Sequence, residues 1–337
     1  MVIKLVYILL TVTVVTACKQ NKSSVEQDNQ TAITKSVSPT PPFQADSAYV
    51  YIENQVNFGP RVPNTEAHKA CSEYLSSELK RFGAQVKEQE MNLTAYDGSR
   101  LEAKNIIGSY YPDNNKRILL FAHWDSRPFA DSDPDAANHR KPILGADDGG
   151  SGVGVLLEIA RQINKKDPGI GIDIIFFDAE DYGTPEFYTG EAPSDTYCLG
   201  TQFWAKNPHI PNYKADFGIL LDMVGGKNAV FFKERTSMRY APHIVDKVWT
   251  AARNLGYGKY FVNAIGGGIV DDHEYVIKGR NIPSIDIINF DPDYDPATEN
   301  GFPHYWHTLK DDMSNIDKET LKAVGQTVLE VIYNYNK

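Results

Sequence analysis

The chain has 337 residues, with 44 acidic against 34 basic side chains and a formal net charge of −10. No basic stripe offsets that charge, which argues against a nucleic-acid partner and leaves short acidic clusters free to serve a cation. The composition, 42% hydrophobic and 11% aromatic, is that of a globular protein, and after the first residues no stretch is long enough to cross a bilayer.

Met1 to Ala17 carry one charge, Lys4, and then an apolar run too short to span a membrane comfortably, which is the pattern of a signal peptide. The run ends Val15-Thr16-Ala17-Cys18, which resembles the lipobox of bacterial lipoproteins. That implies cleavage before Cys18, lipidation of the cysteine, and export to the cell envelope with the membrane reached through the lipid anchor alone. A plain membrane anchor with a chance cysteine is the alternative. Residues 18–42 are rich in Ser, Thr, Gln, Asn and Lys and end Pro39-Thr40-Pro41-Pro42, so they read as a disordered tether. The rest, residues 43–337, is most simply one catalytic domain.

Along that domain, helical spacing of apolar residues predicts helices at Ala67–Arg81, Gly152–Ile163, Ala241–Asn254 and Lys318–Tyr335. Between them, short apolar and β-branched runs predict strands at Ile118–Ala122, Ile172–Phe177, Phe217–Leu221, Ala229–Phe232 and Ser284–Ile288. Buried strands alternating with helices point to an α/β fold, a three-layer α/β/α sandwich around a central mixed, mostly parallel sheet. Cys71 falls in an apparent helix and Cys198 in an apparent loop, and the sequence leaves their pairing open.

The first three strands are followed at once by acids or histidine: His123-Trp124-Asp125, Asp178-Ala179-Glu180-Asp181, and Asp222. In open α/β sheets ligands bind beyond the carboxyl ends of the strands, so these groups face one crevice. Asp147 and Asp148 sit between glycines just before a helix, where one of them could serve as a cap, but two exceed what a cap requires. A solvated turn is the plainer reading of Glu180-Asp181, weakened by the apolar run Ile174–Phe177 that leads into it. Burial there would raise Glu180 toward the working pH of a general base. His307 stands in an aromatic loop, where a lone histidine is usually structural. In combination, Asp148, Asp181 and His307 offer two oxygens and one nitrogen, a set that suits a catalytic zinc with an open fourth position. Calcium calls for more oxygens, magnesium usually accompanies a phosphate-binding element, and the usual iron triad has two histidines. His68, His139, His209 and His243 fall in surface-like helices or polar loops and are left out of the site.

The ordered strings HWDS (123–126), GADDGGSG (145–152), FFDAED (176–181), LLDMVG (220–225), DDH (271–273) and WHT (306–308) resemble the zinc aminopeptidase superfamily, and within it the glutaminyl cyclases. The match runs from about Tyr49 to the C-terminus. The resemblance implies zinc held by Asp148, Asp181 and His307, Glu180 as the catalytic acid/base, and Asp271 or its neighbour Asp272 as a carboxylate in the network around the reacting amide, with Asp271 as the assignment. Aminopeptidases of the superfamily bind a second zinc through residues matching His123 and Asp222, which cyclases can keep as hydrogen-bonding groups. Trp306, Phe187, Tyr188 and Trp204 are candidates for an aromatic substrate pocket. Asp286 is a further pocket candidate and stands where the animal enzymes are matched by a histidine, and Glu180-Asp181 stands where they pair two glutamates.

The expected activity is zinc-dependent cyclisation of the N-terminal glutamine of peptides and proteins to pyroglutamate, with ammonia released. Two alternatives stand beside it: an aminopeptidase with two metals, and a non-catalytic envelope lipoprotein that keeps only the fold.

Overall fold

The structure is a computed structural model and describes residues 40–291 and 301–335. The signal segment, Cys18 and the tether as far as residue 39 lie outside the described residues. In chain order the first half contains α1 (Ala45–Asn57), α2 (Glu66–Arg81), β1 (Gln85–Thr94), β2 (Arg100–Tyr110), β3 (Arg117–His123), α3 (Gly150–Lys165), β4 (Gly171–Phe177) and α4 (Leu199–Lys206). The second half contains β5 (Phe217–Asp222), β6 (Phe231–Lys233), α5 (Arg235–Tyr240), α6 (Pro242–Asn254), β7 (Phe261–Ile265), α7 (Asp272–Arg280), β8 (Ser284–Ile288) and α8 (Lys318–Tyr333).

Six strands form the main sheet in the order β1-β2-β4-β3-β5-β8. β4, β3, β5 and β8 run parallel, and the β1–β2 hairpin is added antiparallel against β4. β3 and β4 are buried along their whole length, as expected of strands covered on both faces. Their side chains alternate between two cores. Ile118, Leu120 and Ala122 pack with α1, α3, α6 and α8 on one face, while Leu119 and Phe121 pack with Phe177, Leu220, Trp204 and Val276 under α4 and α7 on the other. The mixed sheet and its two helical layers are therefore those expected from the sequence.

Several elements differ from expectation. The run expected as a strand at Ala229–Phe232 is shorter and leaves the main sheet to pair with β7 as a separate two-stranded sheet. The β1–β2 hairpin, unanticipated, carries Lys87, Glu88, Glu90 and Lys104, which the solvated edge tolerates and which hide the strand pattern. The described chain begins inside the segment read as a tether: Thr40 Oγ1 donates to Glu330 on α8 at 2.6 Å, and Phe43 is buried beside Gly325. His68 and His209 are buried and not surface residues; His68 stacks on Trp124 and lies 2.9 Å from Asp178, and His209 accepts from the Trp204 indole at 3.1 Å. Cys71 and Cys198 are both buried and free.

Candidate metal centre and active site

The parallel strands end in a common crevice and hand over one functional group each. β3 ends on His123, β4 leads into Asp178-Ala179-Glu180-Asp181, and β5 ends on Asp222. Several turns that carry the site pass through the left-handed region without glycine, with φ of 51° at Ala179, 48° at Met223 and 52° at His307. Such conformations cost of order 1–3 kcal/mol and cluster where side chains must be aimed.

Asp148 lies on the loop entering α3, and neither Asp147 nor Asp148 caps that helix. Asp147 instead accepts from Gly225 N at 2.8 Å and from Tyr305 Oη at 2.6 Å. Gly149 follows at φ 82°, where a Cβ would come within 2.7 Å of Asp125 O and 2.9 Å of His123. Only glycine lets this loop lie so close to the end of β3. The buried Arg61 guanidinium ties the same two segments together by donating to Trp124 O, Leu144 O and Gly145 O. Asp311, from the C-terminal loop, accepts from Asp147 N at 2.8 Å and Asp148 N at 3.0 Å.

Asp148, Asp181 and His307 converge as expected, with one ligand atom from each lying within 4.8 Å of the others. His307 Nε2 is 3.2 Å from Asp181 Oδ1 and 3.5 Å from Asp148 Oδ2. Outer contacts orient all three. His307 Nδ1 is 3.5 Å from Asp131, Arg127 forks onto Asp131 at 2.6 and 2.7 Å, and Arg127 Nη1 donates to Asp181 O at 3.0 Å. Asp125 accepts from Glu180 N and Asp181 N, each at 3.1 Å. Asp181 Oδ2 is buried with no hydrogen-bond partner. An orphaned carboxylate oxygen beside a second carboxylate and an imidazole fits a zinc ion with one position left for substrate.

A second group shares Asp148. His123 Nε2 lies 3.0 Å from Asp148 Oδ1 and 3.2 Å from Asp222 Oδ1. Burial pushes Asp222 up to about 6, with the His123 hydrogen bond opposing. For Asp148, burial is the largest effect and acts upward, but the His123 hydrogen bond and the charges of His123, His307 and Arg127 together hold the carboxyl below its ordinary value.

Glu180 faces a cavity of about 280 Å³ that is also lined by Asp148, Asp181, Asp222, Asp271 and His307 at its polar end. Burial holds Glu180 well above the usual carboxyl range, with His123 opposing and Asp271 and Asp181 adding to the rise. Asp271 caps the start of α7 and is pushed up to about 7 by burial and by Asp222. The apolar walls are Met223, Ile269, Val270, Ile288, Phe302 and Trp306. Trp306 stacks on His307 with ring centroids 3.5 Å apart and planes at 19°, and Phe302 leans on Trp306 at 4.7 Å.

The other pocket candidates lie elsewhere. Trp204 is fully buried under α4 against Phe177 and Tyr213, part of the second core. Phe187 and Tyr188 belong to a separate aromatic cluster with Phe129 and Tyr96, Arg140 lying over Phe187. Asp286 is buried on β8 behind Asp271, outside the cavity lining, with both oxygens unpartnered. Aromatic character alone could not separate core from pocket, whereas adjacency could. Met223 follows Asp222, Ile269 and Val270 precede Asp271, and Phe302 shares the loop of Trp306.

Residues 105–332 match the model of peptidase family M28, and the chain belongs to that family. Within it, two similar solved structures come from related chains. A Zn-dependent exopeptidase from Parabacteroides distasonis is 72% identical, with a TM-score of 0.86 over 88% of this chain and 100% of its own. Tannerella forsythia glutaminyl cyclase is 68% identical, with a TM-score of 0.84 over 87% of this chain and 99% of its own. The glutaminyl-peptide cyclotransferase of Bos taurus is 23% identical over 305 residues, 82% of this chain and 78% of that protein.

Proposed function

We propose that the chain cyclises the N-terminal glutamine of peptides and proteins to pyroglutamate, releasing ammonia. The observation that carries this reading is the cavity itself. Its polar end gathers Glu180, Asp271 and the Asp148–Asp181–His307 set, and its apolar lining includes Trp306 and Phe302. That shape suits one side chain with a polar tip, and a relative 68% identical is a glutaminyl cyclase.

Zinc, held by Asp148, Asp181 and His307, would supply the Lewis acid for the γ-carbonyl oxygen. Glu180 takes a proton from the substrate's own α-amine as the amine nitrogen bonds to the γ-carbon. It then gives that proton to the amide nitrogen as the C–N bond breaks, so that ammonia leaves and Glu180 ends as it began. Its raised affinity for protons matches this two-way role. Asp271 lies on the same wall, placed to accept a hydrogen bond from the reacting nitrogen. Trp306 confines the side chain so that amine and carbonyl meet within one molecule, and much of the rate follows from that proximity.

This reading takes one catalytic zinc, with His123 and Asp222 as a hydrogen-bonded pair. The specific feature favouring an aminopeptidase is the His123–Asp148–Asp222 group, which would suit a second metal. Mass spectrometry of a Gln-initiated peptide after incubation with the purified domain tests the choice. The cyclase reading expects loss of the mass of ammonia; loss of a whole residue, with two zincs per chain, refutes it in favour of the peptidase. The lipobox-like end at Cys18 supports anchoring in the cell envelope, and no helix among the described residues is long and apolar enough to cross a membrane.

A further inference from the structure

Among the described residues Cys198 is one of two free cysteines, both buried, and its thiol lies 3.1 Å from Glu180 Oε1. The thiol is held there by the backbone. Three successive amides, Cys198 N, Leu199 N and Gly200 N, donate to Glu180 O, Ala179 O and Asp178 O at 2.9, 3.0 and 3.0 Å, so the start of α4 is laced to the turn that carries the base. Gly200 has no room for a side chain, since a Cβ there would fall 2.2 Å from Asp178 O. The approach of the thiol is therefore fixed by its own amide and by the two residues that follow it. One ligand-type atom each from Glu180, Cys198 and Asp271 lie within 4.8 Å of one another, and Asp271 Oδ2, on a residue only 4% exposed, has no hydrogen-bond partner.

The geometry points to Cys198 as a positioning residue whose S–H donates to Glu180 Oε1, holding the carboxylate apart from Asp271 with its other oxygen turned to the substrate. This rests on Glu180 being the base of the proposed reaction. A thiol suits the task because it is a weak donor. It selects one orientation of the carboxylate without binding it so tightly that the oxygen loses its proton affinity. It is also neutral, so it adds no charge beside the acids gathered there. A hydroxyl on the same Cβ would keep the donor on a shorter arm, and a methyl would remove it.

The test compares Cys198→Ala and Cys198→Ser in the zinc-loaded enzyme, measuring kcat and KM separately together with zinc content, thermal stability and a crystal structure of each variant. The expected outcome for Cys198→Ala is a fall in kcat of about tenfold with KM within about twofold. Zinc content should stay at the parent level, and Glu180 should be displaced or split between two orientations. Cys198→Ser should recover most of kcat and the parent Glu180 position. An alanine variant with parent kcat and an unmoved Glu180 overturns the assignment. So do equal losses in both variants that track a drop in melting temperature, since those mark a packing role. If the parent releases N-terminal residues and not ammonia, the cyclase reading fails, while the comparison of variants still judges Cys198 on the position of the base.

Discussion

Replacing Trp306 with alanine removes one of the six apolar residues that line the cavity and leaves Asp148, Asp181 and His307 in place. The indole lines the cavity and stacks on the His307 ring at 3.5 Å. If about 80 Å² of apolar contact with the glutamine side chain is lost, at about 25 cal/mol per Å², the loss is about 2 kcal/mol. Removal of a stacked aromatic partner adds about 0.5–1.5 kcal/mol of disturbance at His307. The first figure alone predicts a fall of about thirtyfold in kcat/KM. His307 itself remains buried between Asp181 at 3.2 Å and Asp131 at 3.5 Å, so zinc should stay bound. The assay is the initial rate of ammonia release from a Gln-initiated peptide over a range of concentrations, with zinc measured on the same samples. Unchanged kcat/KM, or loss of zinc in step with activity, would refute the reasoning, since the first denies the wall and the second makes Trp306 a support for the ligand.

Glu180→Gln keeps size and removes the proton carrier, so turnover should fall by a factor on the order of a hundred to ten thousand at near-parent zinc, while His307→Ala and Asp148→Ala should lose metal first. Zinc lost from Glu180→Gln but retained by Asp181→Asn would mean the two acids have been exchanged. Cys18→Ser should release soluble enzyme or stall the precursor, and a variant that still partitions with membranes counts against the lipid anchor. Burial lowers His209 to about 4, and the neutral ring accepts from Trp204. Its contribution is therefore complete above the unfolded histidine value of about 6.5 and is lost as pH falls through about 4, at most about 3 kcal/mol. Denaturant titrations from pH 7 to 4 should show a smaller decline for His209→Gln than for the parent; identical declines would remove His209 from the account.

Much of the fold could be read because buried parallel strands announce themselves. Ile172–Phe177 and Phe217–Leu221 contain no polar residue to dilute them except Asp173, which is itself buried and paired by Arg117 at 2.9 Å. The acids that terminate those strands carried the site, since chain direction alone delivers strand ends to one edge. The β1–β2 hairpin was hidden because its outer face is charged, and α7 because its apolar residues do not form a clear stripe. Buried polar pairs were hidden for another reason. His68 with Asp178, and Arg127 with Asp131 and Asp181, look exposed one residue at a time, and only their partners, up to 110 positions away, make burial tolerable. The pocket suffered the reverse error, for Trp204 and Trp306 are chemically alike, and only the fold puts one in a buried core and the other on the cavity wall.

The clasp between Asp311 and the amides of Asp147 and Asp148 spans 164 and 163 positions of sequence. A chain that stops before residue 307 lacks both the clasp and His307, so an amino-terminal fragment of that length cannot assemble the metal set. The two halves of the metal set are thus made far apart in time as well as in sequence: until the loop that carries His307 has docked, the crevice at the strand ends holds carboxylates without their imidazole.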